Sequence, residues 1–148
     1  ARTYELAEFL LFVCKVQLKD SGTPVKVALH TSCSARRETN ALRTTRALLG
    51  QLDQVTLEIQ DHESECCGFG GMFSVRHPEI SGGIVRDKVA AIRACGAETL
   101  ITGDCGCMLN ITGHAAKTGT AITGKHLASF LLERALGLEA LTKKGGAK

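Results

Sequence analysis

The stretch Pro78-Glu-Ile-Ser-Gly-Gly-Ile-Val-Arg-Asp-Lys-Val-Ala-Ala-Ile-Arg-Ala-Cys-Gly-Ala-Glu-Thr-Leu-Ile-Thr102 sets the fold class. Ile80, Ile84, Val85, Val89 and Ile92 recur at helical spacing, which predicts a helix over 79–94 with one apolar face. Gly96 is placed to cap it, since glycine takes the left-handed conformation that ends helices at no steric cost. Thr99 to Thr102 follows at once, short and β-branched, with the composition of a buried strand.

The same alternation continues on either side. Val25 to His30 reads as a first strand, Glu38 to Leu49 as a helix stopped by Gly50, and Val55 to Ile59 as a second strand. Ala41, Leu42, Leu48 and Leu49 are the apolar positions of that helix. Residues 61–78 form a long loop ending at His77-Pro78. Beyond Thr102, a helix over 105–117 opens from the Gly103-Asp104 turn, Asp104 being suited to cap it. A short strand over Ala121 to Thr123 and a helix over His126 to Leu136 complete the pattern. Upstream, Leu6, Phe9, Leu10, Val13 and Val16 predict an amphipathic helix over 3–18, closed by Asp20-Ser21-Gly22-Thr23-Pro24. Repeated βαβ units imply an α/β fold of three layers, a mostly parallel β-sheet flanked by helices with right-handed crossovers. Residues 1–142 are expected to form one domain and 143–148 a flexible tail.

Composition narrows the function classes. The chain has 148 residues, 44% hydrophobic and 22% charged, within the range of a globular protein. A net charge of +3, dispersed along the chain, gives no footprint for nucleic acid. No apolar run reaches membrane-spanning length, and no export signal is evident, so the cytoplasm is the expected compartment. There, seven cysteines point to metal or redox chemistry rather than a disulfide scaffold.

The cysteines are patterned. Glu65-Cys-Cys-Gly-Phe-Gly-Gly71 carries two adjacent thiols, whose side chains can face one centre only from a turn. Gly68, Gly70 and Gly71 supply that turn, and their backbone N–H groups can point at an anionic sulfur centre. Cys33 follows the first strand, Cys66 and Cys67 the second, and Cys107 the third. In a parallel sheet those loops share the carboxyl edge, where open α/β folds place their ligands. Four convergent thiolates suit zinc or a four-iron cluster, and the vicinal pair suits the cluster better. Cys105 is either a spare ligand or a bystander, and Asp104 an oxygen donor or a cap. His30 could orient a thiolate, replace one, or simply end its strand. Cys14 and Cys95 read as buried apolar residues. No flavin or nicotinamide fingerprint opens a helix, since the glycine-rich run follows cysteines.

These residues resemble the cysteine-rich CCG domain family: a cysteine, a gap, Cys-Cys-Gly, a second gap, then Cys-x-x-Cys. Cys33, Cys66, Cys67, Gly68 and Cys107 match, whereas Asp104 stands where the earlier cysteine of the last pair belongs. The run Cys66 to Val75 continuing to Pro78-Glu79-Ile80-Ser81, with His30 to Cys33 and Asp104 to Ile111, closely resembles the lactate-utilization protein A group. The iron–sulfur subunit of glycolate oxidase is more distant. Family members usually carry two such repeats, and this chain is similar to the second.

The resemblance implies an iron–sulfur electron-transfer module, of 4Fe–4S type in cubane or non-cubane form, within an oxidoreductase complex acting on L-lactate or glycolate. Its ligands would be Cys33, Cys66, Cys67 and Cys107, with Cys105 or Asp104 as a fifth. Its partners would be other subunits of that complex, and the first repeat or a second copy would cover its open face. Two other readings stay open: a zinc-binding structural or assembly module without redox activity, and a thiol enzyme using Cys66 and Cys67 as nucleophiles.

Overall fold

The computed structural model describes residues 3–137. Four strands form one sheet: β1 Val25–His30, β2 Val55–Glu58, β3 Thr99–Thr102 and β4 Thr123–His126. The order is β2-β1-β3-β4 and every pairing is parallel, as the βαβ alternation implies. β1 is central, with Val27 opposite Thr99 and His30 opposite Thr102. The chain leaves β1 for one edge and returns to pair β3 on its other side. That reversal opens a crevice at the carboxyl ends of β1 and β3.

Helices cover both faces. The first, α1 (Leu6–Glu8), runs on as a π-helical turn over Phe9–Val13. α2 is Cys33–Glu38, α3 Ala41–Leu49, α4 Met72–Arg76, α5 Pro78–Ala94, α6 Cys105–Lys117 and α7 Leu127–Leu136. Alternation along the central strands splits the core in two. Val27, Leu29 and Ile101 pack with Leu48, Leu49, Phe130 and Leu131 from α3 and α7. Ala28 and Leu100 point the other way, onto Val85, Val89, Ile92 and Ile111 from α5 and α6. His30 continues the Ala28 side, and that decides where the site forms.

A buried ion pair closes the first face. Asp20, just ahead of β1, meets Arg134 of α7 at 2.6 Å, with the two side chains 1% and 0% exposed. Arg134 also donates to the Thr23 carbonyl at 2.6 Å. The Asp20 carboxylate accepts from the N–H groups of Gly22 and Gln54. Gly22 is required there, because a Cβ would meet the guanidinium.

Several expectations need correction. The N-terminal helix stops at Val13 rather than residue 18; Lys15 takes φ +51° and the segment to Pro24 is irregular. Cys14 is therefore exposed, whereas Cys95 is half-buried and packs against the edge of the core. The helix assigned to 38–49 begins only at Ala41: Glu38 ends a separate, unexpected helix, α2, and Asn40 turns left-handed between them at φ +50°. The loop over 61–78 contains α4. On α5 the buried positions are Ser81, Val85, Lys88, Val89 and Ile92, while Ile80 faces solvent. The last strand lies at 123–126, not 121–123. The tail assigned to 143–148, and the end of the domain at 142, lie outside the described residues. No described helix is long and apolar enough to cross a membrane.

Candidate metal centre

Each cysteine arrives by a separate local device. Ser32 caps α2, its hydroxyl accepting from the Ala35 N–H, and so puts Cys33 at the first helical position. Asp104 caps α6 through the Cys107 N–H at 2.9 Å, which holds Cys107 in the first turn. The Cys66–Cys67 turn is built by glycines: Gly68, Gly70 and Gly71 take φ of +83°, +49° and +56°. Gly68 is also sterically fixed, since a Cβ there would sit 2.7 Å from the Ser81 carbonyl.

Side chains from α5 and α6 tie this turn down. Ser81 donates to the Gly68 carbonyl at 2.8 Å, and Asn110 to the Cys67 carbonyl at 2.8 Å. Phe69 lays its ring against Gly106, where any side chain would collide with it. Cys105-Gly106-Cys107 therefore needs its central glycine for packing, not for backbone conformation.

The outcome is a cavity of about 180 Å³ at the carboxyl edge, lined by His30, Cys33, Cys66, Cys67 and Cys107 among others. Its floor is His30, Cys67 and Cys107, all buried, whose ligand atoms lie within 4.8 Å of one another. Cys33 and Cys66 form the exposed rim. Gly70 and Asp104 also line it, and Gly68 donates its N–H to the Cys66 sulfur at 3.3 Å. Cys105, at the exposed start of α6, does not line it, because residues two apart on a helix do not share a face.

The electrostatics fit a cation. Cys67 is held well below an ordinary thiol, first by a hydrogen bond from Cys107, then, against the cost of burial, by His30 and the Phe69 N–H. Cys107 moves the opposite way, as the partner that keeps its proton beside that thiolate. Burial pushes the Cys66 thiol up, with Cys67 and Cys33 adding to the rise and the Gly68 N–H opposing it. Neither ring nitrogen of His30 has a hydrogen-bond partner among the described residues, although the residue is 1% exposed. A buried imidazole without a partner is costly. A metal ion or cluster would supply such a partner, and soft thiolates beside imidazole suit iron–sulfur, zinc or Cu(I).

Sequence reasoning left His30 open and passed over Phe69, Ser81, Lys88 and Asn110. Strand alternation was the available signal for His30, since it shares the face of Ala28. Ser81 and Lys88 were legible as polar residues seven apart, two turns along an apolar helix face.

Comparison with known proteins agrees with this geometry. Residues 27–112 match the family model of the cysteine-rich domain, CCG. The chain is 43% identical over 134 residues to lactate utilization protein A of Shouchella clausii, covering 88% of this chain and 55% of that protein. It is 40% identical over 131 residues to the protein of that name from Halalkalibacterium halodurans, covering 88% and 54%. For the Bacillus subtilis protein the identity is 35% over 133 residues, covering 90% and 56%. The chain thus spans about half the length of these curated relatives.

Proposed function

The chain belongs to the cysteine-rich CCG domain family, and on that premise we propose that it is an iron–sulfur electron-transfer module of an oxidoreductase acting on L-lactate or glycolate. The observation that carries the reading is the buried His30–Cys67–Cys107 floor beneath the Cys33 and Cys66 rim. The cavity, at about 180 Å³, has room for a group larger than one ion. Cys33, Cys66, Cys67 and Cys107 would hold the cluster, with His30 beside them as an added ligand or hydrogen-bond donor. When bound, a cluster accepts and returns single electrons at a potential set by burial and by hydrogen bonds to sulfur. The Gly68 N–H on Cys66 is one such bond, and the buried placement of Cys67 and Cys107 keeps water from the inner side.

Lactate enters through the relatives' name, and glycolate and the partner subunits through the family resemblance. In this reading the module relays electrons from 2-hydroxy-acid oxidation to another subunit, in the cytoplasm, and its open face meets a companion repeat or a second copy.

One observation favours a second reading. Three donor atoms within 4.8 Å, with a rim cysteine as the fourth, also make a tetrahedral zinc site of structural type. Reduction separates the two. The anaerobically purified protein is expected to be brown, to bleach with dithionite and to recover its colour on reoxidation. A colourless, metal-replete protein that ignores dithionite belongs to the zinc reading.

A further inference from the structure

A buried cation stands behind the cysteine loop. Lys88 lies on the inner face of α5, 3% exposed, between Val85 and Val89, which pack in one cluster with Cys67 and Cys107. Its Nζ donates to the His62 carbonyl at 2.6 Å. Among the described residues it forms no ion pair: Glu63 is taken by Arg46, and Glu65 by the His62 ring. Burial pushes the ammonium down from its ordinary value, while Glu65, Glu63 and Cys67 push it back and Arg36 opposes them. A buried ammonium is retained at a cost unless opposite charge lies close by.

The placement is specific. Two helical turns earlier, Ser81 of the same face holds the Gly68 carbonyl. α5 therefore grips the segment 62–68 at both ends, and Cys66 and Cys67 lie between the two grips. His62 itself takes φ +55°, a conformation that the Lys88 bond helps to hold.

We propose that Lys88 is the fixed counter-charge of the thiolate centre, its ammonium offsetting the negative charge that coordinated cysteines carry and so strengthening metal binding. The inference rests on the cavity being a metal centre, but not on which metal fills it. Thiols that are neutral when protonated become thiolates on coordination, and four of them bring more negative charge than a divalent ion cancels. A positive charge fixed nearby lowers the free energy of the loaded state more than that of the empty one.

Cobalt(II) is the probe, titrated into the metal-free full chain at neutral pH and read by its thiolate charge-transfer absorption. Lys88→Met removes charge and donor, Lys88→Gln removes charge alone, and Lys88→Arg keeps both. The expected result is an affinity at least about ten-fold weaker for the Met and Gln variants, the scale of a lost supporting group, with Arg close to wild type. Thermal unfolding of the metal-free proteins accompanies each titration. Met and Gln variants that bind as well as wild type overturn the proposal. So does a Gln variant that matches Arg, which makes Lys88 an anchor for His62, or a Met variant that stays unfolded with or without metal. A folded wild type giving no cobalt band removes the metal-centre reading itself, and the proposal with it.

Discussion

Replacing Cys67 by serine is expected to empty the metal centre while leaving the fold standing. Cys67 is 2% exposed, belongs to the apolar cluster beneath the sheet, and lies within 4.8 Å of both His30 and Cys107 at the cavity floor. Serine nearly conserves its volume, so packing changes little. Its hydroxyl is hard and stays protonated, which makes it a poor substitute for a thiolate toward a soft metal. Metal content of the anaerobically purified variant should fall by at least about ten-fold, more than the loss of a supporting group would cause. Cys105→Ser is the matched control. Cys105 is exposed and outside the cavity, so that variant should load as wild type does. Full loading of Cys67→Ser together with an empty Cys105→Ser would move the centre to the other side of α6.

The largest effect on stability is expected away from the site, at Asp20. Asp20→Ala leaves the Arg134 guanidinium in a fully buried place without its carboxylate. Breaking a buried pair in this way costs about 3–5 kcal/mol, against roughly 5–15 kcal/mol for a whole domain. Two backbone donors, Gly22 and Gln54, lose their acceptor as well. Burial opposes the charge on Asp20, but Arg134 and those two N–H groups outweigh it and hold the carboxyl below its ordinary value. A carboxyl depressed in the folded state stabilises the protein above its ordinary pKa and loses that contribution as pH falls through the folded-state pKa. The difference between wild type and Asp20→Ala should therefore be large in urea unfolding at neutral pH and shrink in acid. A shift below about 1 kcal/mol at neutral pH, the size of an exposed pair, would contradict this account of the clamp.

How much of this was legible in the chain depends on which force shapes each element. β1, β3 and α6 lie at the residues where periodicity placed them, because burial on both faces or a capping aspartate wrote them into the sequence. β4 was misplaced, since Gly124-Lys125-His126 has no strand character of its own. The ladder from Thr99↔Thr123 to Thr102↔His126 makes it a strand. The break at Asn40 was hidden for a related reason: asparagine tolerates the left-handed region without announcing it, and Leu42 to Leu49 kept helical spacing past it. The convergence of Cys33, Cys66, Cys67 and Cys107 was readable from their positions just after successive strands of a parallel sheet. The part played by His30 needed the pleat of β1, and that of Lys88 needed the face of α5, because both are polar residues whose meaning lies in what they are buried against.

The most direct test of the central claim is iron and acid-labile sulfide analysis of protein purified without exposure to oxygen. About four irons and four sulfides per chain, with visible absorption, are what an iron–sulfur centre in this cavity predicts. Stoichiometric zinc without sulfide in the same preparation would contradict it.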